Sequence, residues 1–359
     1  MIIVRPEAYR QYGSGRNHFV LVLENKFAAA FRIESSSRYG EGVVVVAGVG
    51  ESLTQVLRSR VPAGSDVLVV AADEGLWGAP AVEVGPSRTV AVVRVGSGAL
   101  ALDQARAVVE SLEKADPSAI ADAGRALVEA LDGDGGGGRA LVLEDPLTSS
   151  VAKLAFPGPR WSFSDPGVFS PGVVRSVSAG RERLAADSVG TVVSGQIAVK
   201  GWPLVTARSA GAARCQELFE RLSPLSHYPL VLTVEDGVVR DLKAAEAGSA
   251  QAADALRELF ASDAGHGRVF GVEFGLNRAA PRLPFNCESN AASTGKAAVS
   301  VHLVLGSLPL TEFQIVLECA TSTLSWADGG AALAGAGTAV EERVRRRMNR
   351  VTAAGCGCH

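Results

Sequence analysis

Gly42-Val-Val-Val-Val-Ala-Gly-Val-Gly50 reads as a strand running into a glycine turn. Its β-branched run is compact and of strand length. An amphipathic stretch follows to about Arg58, which makes the unit strand, turn and helix. Residues 19–24 are a second compact β-branched run, and 66–72 and 89–95 are further, mostly apolar runs of the length expected for strands buried on both faces. Residues 102–114 carry helical periodicity, and Asp116-Pro117 then supplies an N-cap and a first-turn proline for a helix reaching Leu131. The pattern predicts an N-terminal α/β domain with a parallel sheet wrapped by helices.

Asp132-Gly-Asp-Gly-Gly-Gly-Gly138 is the sharpest break in the chain, because consecutive glycines lose the most entropy on ordering. The expected division is 1–135 for the N-terminal domain and 139–359 for a larger mixed α+β domain. Strands are expected in the latter around Leu141, Val192, 196–199, 230–234, 269–273, 299–305 and 313–318, and helices near 212–222 and 252–260. A last helix starts near Thr338, with Glu341 and Glu342 in its first turn and arginines from Arg343 to Arg350 toward its end, matching the helix dipole.

At 359 residues the chain has ample length for two domains. A formal net charge of −3, spread along the sequence, gives no concentrated basic surface for nucleic acid. No apolar run approaches the roughly 18 residues of a membrane helix, and the N-terminus lacks the pattern of an export signal. Five cysteines at scattered spacings (Cys215, Cys287, Cys319, Cys356 and Cys358) argue against a disulfide framework and for a reducing compartment, the cytoplasm. Gly48-Val-Gly50 could open a dinucleotide fingerprint, but Leu53 stands at the third glycine position, so a simple strand-to-helix turn explains it. Neither a Gly-x-Ser-x-Gly elbow nor a Walker sequence occurs. The tail Cys356-Gly-Cys358-His359 offers three soft ligands in four residues, or is a frayed end. The arginine cluster 343–350 reads either as a solvated helix end or as a dock for an acidic peptide.

A second set of landmarks begins at Leu143-Glu-Asp-Pro-Leu-Thr148 and continues through Arg160-Trp161, Pro166-Gly-Val-Phe-Ser-Pro171 and Gly190-Thr-Val-Val-Ser-Gly195. It ends with residues 229–242, Val272-Glu-Phe-Gly-Leu-Asn277 and Val301-His-Leu-Val-Leu-Gly306. In this order the landmarks resemble the M29 metallo-aminopeptidases, whose fold is shared by dihydroxypyridine ring-opening dioxygenases. The resemblance implies a C-terminal domain of M29 type and a set of metal ligands. Of those, the glutamate of a Gly-Glu-Val motif has no counterpart between Gly167 and Val168. Glu273 and Asn277 resemble the Glu-x-Gly-x-Gly-x-Asn motif, and His302 matches the histidine of Gly-Thr-x-His-x-Ala-x-Gly. Lys296 stands where a third carboxylate is expected. The family's His-Trp-Asp run is most like Ser325-Trp326-Ala327, which loses both ligands unless Asp328 takes the place of one.

Two residual ligands are too few for a catalytic ion, which needs three or four converging donors, and no His-Glu-x-x-His pair offers a substitute. His302 is then either a relic ligand or a satisfied histidine of a buried strand, and Glu273 a relic ligand or a paired carboxylate. The chain looks like the metal-free peptide-binding proteins of crocagin-type ribosomal peptide biosynthesis. That likeness implies a non-catalytic protein with neither cofactor nor metal, a homodimer, holding a precursor peptide alongside other biosynthetic enzymes. The expected peptide-binding residues are Glu273, Lys296, His302, Arg160, Trp161, Trp202, Asn277, Arg278 and Trp326, although the tryptophans read equally well as core. The rival expectation is a metal-dependent peptidase or dioxygenase with a rearranged site of Glu273, His302, Glu288 and Asp328. A third is an assembly partner that stabilises another enzyme without touching the peptide.

Overall fold

The computed structural model describes residues 1–13, 16–95, 101–132, 140–155, 161–163, 168–177, 183–186, 192–207, 212–277 and 299–335. These group into two compact units. The first is built on Met1–Ala121, to which residues 168–177 return; the second holds most of the chain beyond.

The first unit carries a five-stranded sheet in which every pairing is parallel. Across the sheet the strands are Val174–Val177, Thr89–Arg94, Ser65–Ala71, His18–Glu24 and Glu41–Ala47. Ser65–Ala71 lies in the middle and is buried at every position. Side chains alternate between faces, so one apolar run supplies two cores. Leu21, Leu23, Leu68, Val70, Ala91 and Val93 pack with Ala105, Val108, Val109 and Leu112 of helix Ala101–Lys114. Val20, Val22, Val67, Val69, Val90 and Val92 pack with Leu53, Val56 and Leu57 of helix Leu53–Ser59. That helix opens with a reciprocal capping box between Ser52 and Gln55.

The parallel α/β region expected from the sequence is therefore present. Helix Pro117–Asp132 begins at the expected cap, where Asp116 Oδ1 accepts from the amides of Ser118 (3.0 Å) and Ala119 (3.1 Å). Val174–Val177 pairs in parallel with Thr89–Arg94, so this stretch joins the first sheet although it lies after residue 139. Its four residues include Arg175 and Ser176, too short and too polar for periodicity to reveal a strand. Residues 133–138 of the glycine-rich stretch and the expected last helix lie outside the described residues.

The second unit contains two antiparallel sheets. The larger runs Val238–Ala244, Leu230–Glu235, Val192–Val199, Ser150–Ala155, Leu141–Asp145, Thr323–Trp326 and Ala334–Gly335. Its first hairpin turns on Asp236 (φ 48°) and Gly237 (φ 74°), the two left-handed residues of a type I′ turn. The smaller runs Leu204–Ala207, Phe313–Glu318, Ser300–Leu305, Val269–Gly275, Arg183–Ala186 and Trp161–Phe163. Helix Ala212–Leu222 packs on Leu204–Ala207 and on helix Ala250–Ser262. Lys200 links the two sheets: it follows Val192–Val199 and bridges to Cys319, just past Phe313–Glu318. This is the mixed α+β arrangement expected for the C-terminal part.

Candidate functional site

Ser300–Leu305 is a central strand buried at all positions. Val301, Leu303 and Leu305 alternate onto one face with Leu317 and Ile315 of the neighbouring strand, all buried. The opposite face starts apolar, where Leu204, Val304 and Val316 form a small cluster. It then turns polar. His302 stands directly across from Glu273 on one neighbour and from Glu318 on the other. Directly opposed residues of antiparallel strands share a face with Cβ atoms about 4.5–5.5 Å apart. An imidazole is thus flanked on both sides by carboxylate residues. His302 is 1% exposed and Glu318 5% exposed, while Glu273 is half-buried.

Two close contacts hold the row. His302 Nε2 lies 3.0 Å from Ser300 Oγ, two residues back on the same face. Glu318 lies against Gly201, where the backbone takes φ 154° and a β-carbon would fall 2.6 Å from Glu318 Cβ. The amide of Lys200 donates to the Glu318 carbonyl (2.8 Å) and that of Gly201 to the Leu225 carbonyl (2.8 Å), fixing this approach. Nearby, the buried Asp145 explains part of the Leu143–Thr148 landmark. It accepts from the amides of Leu147 (2.9 Å) and Thr148 (2.8 Å), from the Thr148 hydroxyl (3.0 Å) and from the hydroxyl of Thr321. A carboxylate thereby ties the turn after Leu141–Asp145 to the turn after Phe313–Glu318. Burial, followed by the charges of Glu318 and Asp145, pushes the Cys319 thiol well above its ordinary range, so this cysteine is a neutral packing group.

The backbone register carries the row further. Glu273 is opposite Ala185, and Ala185 is opposite Ser162. Trp161–Phe163, which contains Ser162, is the last strand on that side among the described residues. The row therefore leads from a buried polar centre to a sheet edge.

Of the residues expected at the site, Glu273 and His302 are brought together. Asn277 is 2% exposed, two residues past the end of Val269–Gly275. Trp161 opens the edge strand. Trp202 instead stacks on Phe219 of helix Ala212–Leu222, with ring centroids 5.9 Å apart and planes 13° from parallel. Trp326 ends a strand of the other sheet, opposite Leu141, with the exposed Asp328 in the turn beyond it. Arg160, Arg278, Glu288 and Lys296 lie outside the described residues, as does the cysteine tail. Glu318 was missed. The sequence reading sought the last carboxylate around Trp326, whereas the one beside His302 closes the preceding strand. No local motif marks it, because its position follows from pairing register.

Metal binding can be tested on the donors themselves. Among the described residues no three His, Cys, Asp or Glu side chains are grouped as one ion would require. His302 Nε2 is moreover within hydrogen-bond reach of Ser300. As placed, the described side chains do not converge on one ion.

No family model matches the chain, and no curated protein matches it. Among solved structures it is similar to that of 2,5-dihydroxypyridine dioxygenase from Pseudomonas putida KT2440, with 10% identity and a TM-score of 0.45 over 93% of this chain and 95% of that one. Likeness at that level carries nothing about activity. No described helix is long and apolar enough to cross a membrane.

Proposed function

We propose that this chain is a non-catalytic, metal-free peptide-binding protein, a degenerate relative of the M29-type aminopeptidases, that holds a ribosomal precursor peptide during natural-product biosynthesis of the crocagin type. The reading places it in the cytoplasm as a homodimer, working beside other modifying enzymes. The observation that supports it is the register row: Ser162, Ala185, Glu273, His302 and Glu318 occupy opposed positions on successive strands, ending at an edge. An extended peptide can add to an edge strand through main-chain hydrogen bonds, with its alternate side chains received on one face.

Hydrogen exchange of the full chain, with and without the precursor peptide, tests this reading. Slower exchange is expected across Trp161–Phe163 and Val269–Gly275, with the peptide recovered intact. Protection confined to other segments would place the peptide elsewhere.

One observation favours a second reading. With Glu318 beside His302, a third donor residue stands in line with Glu273, and a rearrangement on loading could gather them around an ion for peptidase or oxygenase chemistry. Metal analysis of protein purified without chelator separates the two: the binding reading expects well under one ion per chain, the enzyme reading close to one.

A further inference from the structure

The strand order of the parallel sheet reverses at His18–Glu24: the next strand, Glu41–Ala47, lies on one side of it, and Ser65–Ala71 on the other. In open parallel sheets the crevice beyond the carboxyl ends of the strands at such a reversal is where ligands enter, because successive connections leave in opposite directions. Here Glu24 spans the reversal. Its carboxylate accepts from the amides of Ala72 (2.7 Å) and Asp73 (3.0 Å) and pairs with the Lys26 ammonium at 2.9 Å. One strand further, Arg94 ends Thr89–Arg94 opposite Ala71. The Trp77 indole donates to the Ala71 carbonyl (3.0 Å), which fixes the ring, and the Arg94 guanidinium lies over that ring at 5.2 Å.

Arg94 differs from Arg58, Arg60 and Arg88, whose guanidinium groups have acceptors. Arg58 and Arg60 are paired with Glu83 and Glu51, and Arg88 donates to the carbonyls of Val61, Pro62 and Val84. Arg94 is half-buried, its Nε is shielded from solvent and meets no acceptor, and among the described residues no carboxylate lies within ion-pair distance. A positioned guanidinium with a buried N–H lacking an acceptor is unfavourable until an anion completes it. Its planar fork matches the oxygens of a carboxylate or phosphate.

We propose that the carboxyl edge of this sheet is a second ligand site, where Arg94, braced by Trp77, receives the carboxylate or phosphate group of a small molecule. The site lies in the first unit and does not depend on the peptide reading of the second.

The test is a ¹⁵N NMR titration of the full chain, following the Trp77 indole N–H assigned with Trp77→Phe. The probes are inorganic phosphate and succinate, against sodium chloride at matched ionic strength. A saturable shift is expected with at least one of the two, weakened about 10- to 100-fold in Arg94→Gln, the effect of losing hydrogen bonds to a charged group. Response to phosphate alone identifies a phosphoryl ligand, and response to succinate alone a carboxylate. Absence of any saturable shift beyond chloride, or equal affinity in Arg94→Gln, overturns the proposal. If Arg94→Gln does not keep the wild-type spectrum, Arg94→Lys takes its place, since it retains charge but not the fork, and wild-type affinity there would equally overturn it.

Discussion

Replacing Gly201 by alanine probes the packing that places Glu318 beside His302. The backbone at Gly201 has φ 154°, a region costing a side-chain-bearing residue about 1–3 kcal/mol. The added carbon would also fall 2.6 Å from Glu318 Cβ and 2.9 Å from its Cδ, closer than real carbon contacts. Neither side yields easily, because the Lys200 and Gly201 amides are each committed to a carbonyl at 2.8 Å. Overpacking of this kind costs about 1–3 kcal/mol, so the sum is roughly 2–6 kcal/mol. For a unit of this size each kcal/mol lowers Tm by about 2–4 °C, which predicts a fall of roughly 5–20 °C. Gly237→Ala is the control: φ is 74° and the nearest atom to the new carbon is Val269 O at 4.0 Å, leaving only the left-handed backbone cost of about 1–2 kcal/mol. Differential scanning calorimetry of both variants decides. If Gly201→Ala melts within about 2 °C of Gly237→Ala, Glu318 is not packed against Gly201 and the polar row is wrongly built.

Three further outcomes are expected. His266 is 2% exposed, its Nε2 accepts from the Phe313 amide (3.2 Å) and its Nδ1 lies 3.2 Å from the Asp263 carbonyl; His266→Ala should cost about 2–4 kcal/mol by urea denaturation, and a change below about 0.5 kcal/mol would contradict this anchoring role. Burial pushes the Asp66 carboxyl above its ordinary 3.8, against the hydrogen bonds of Tyr39 and Thr89 and the charges of Arg16 and Arg38. Its raised value means the stability contribution is present below 3.8 and lost as pH rises through the folded value, so the stability of Asp66→Asn relative to wild type should improve as pH rises above about 4 and level off once the folded value is passed; a flat difference would show that this carboxyl titrates normally. Dialysis against a chelator should leave Tm within about 1 °C, since a bound ion that stabilised the fold would be lost with its linkage energy, and a larger fall would mean that metal is structural.

The parallel sheet was legible because its three inner strands have apolar cores buried on both faces, 19–23, 67–71 and 90–93, and Asp116-Pro117 marks a helix start chemically. Val174–Val177 was not, since its pairing with Thr89–Arg94 is made across about 80 residues of chain by a short, half-polar segment. At the candidate site, Glu273 and His302 were found through the order of landmarks, not through any local spacing. Glu318 escaped because opposition across strands is a long-range property, and Phe313–Glu318 reads locally as an ordinary buried strand. Trp202 could have been either core or groove by sequence; its stack on Phe219 needs a helix whose position no local pattern fixes. Arg94 was hidden inside the run 89–95, where one arginine at a strand end looks like a simple exit to solvent.

Calorimetric titration of the metal-analysed protein with the precursor peptide encoded beside its gene, followed by mass spectrometry of the recovered peptide, is the most direct test of the central claim. The account predicts saturable heat with micromolar or tighter affinity and a peptide of unchanged mass. No heat with that peptide, or a peptide returned cleaved or oxidised, would contradict it.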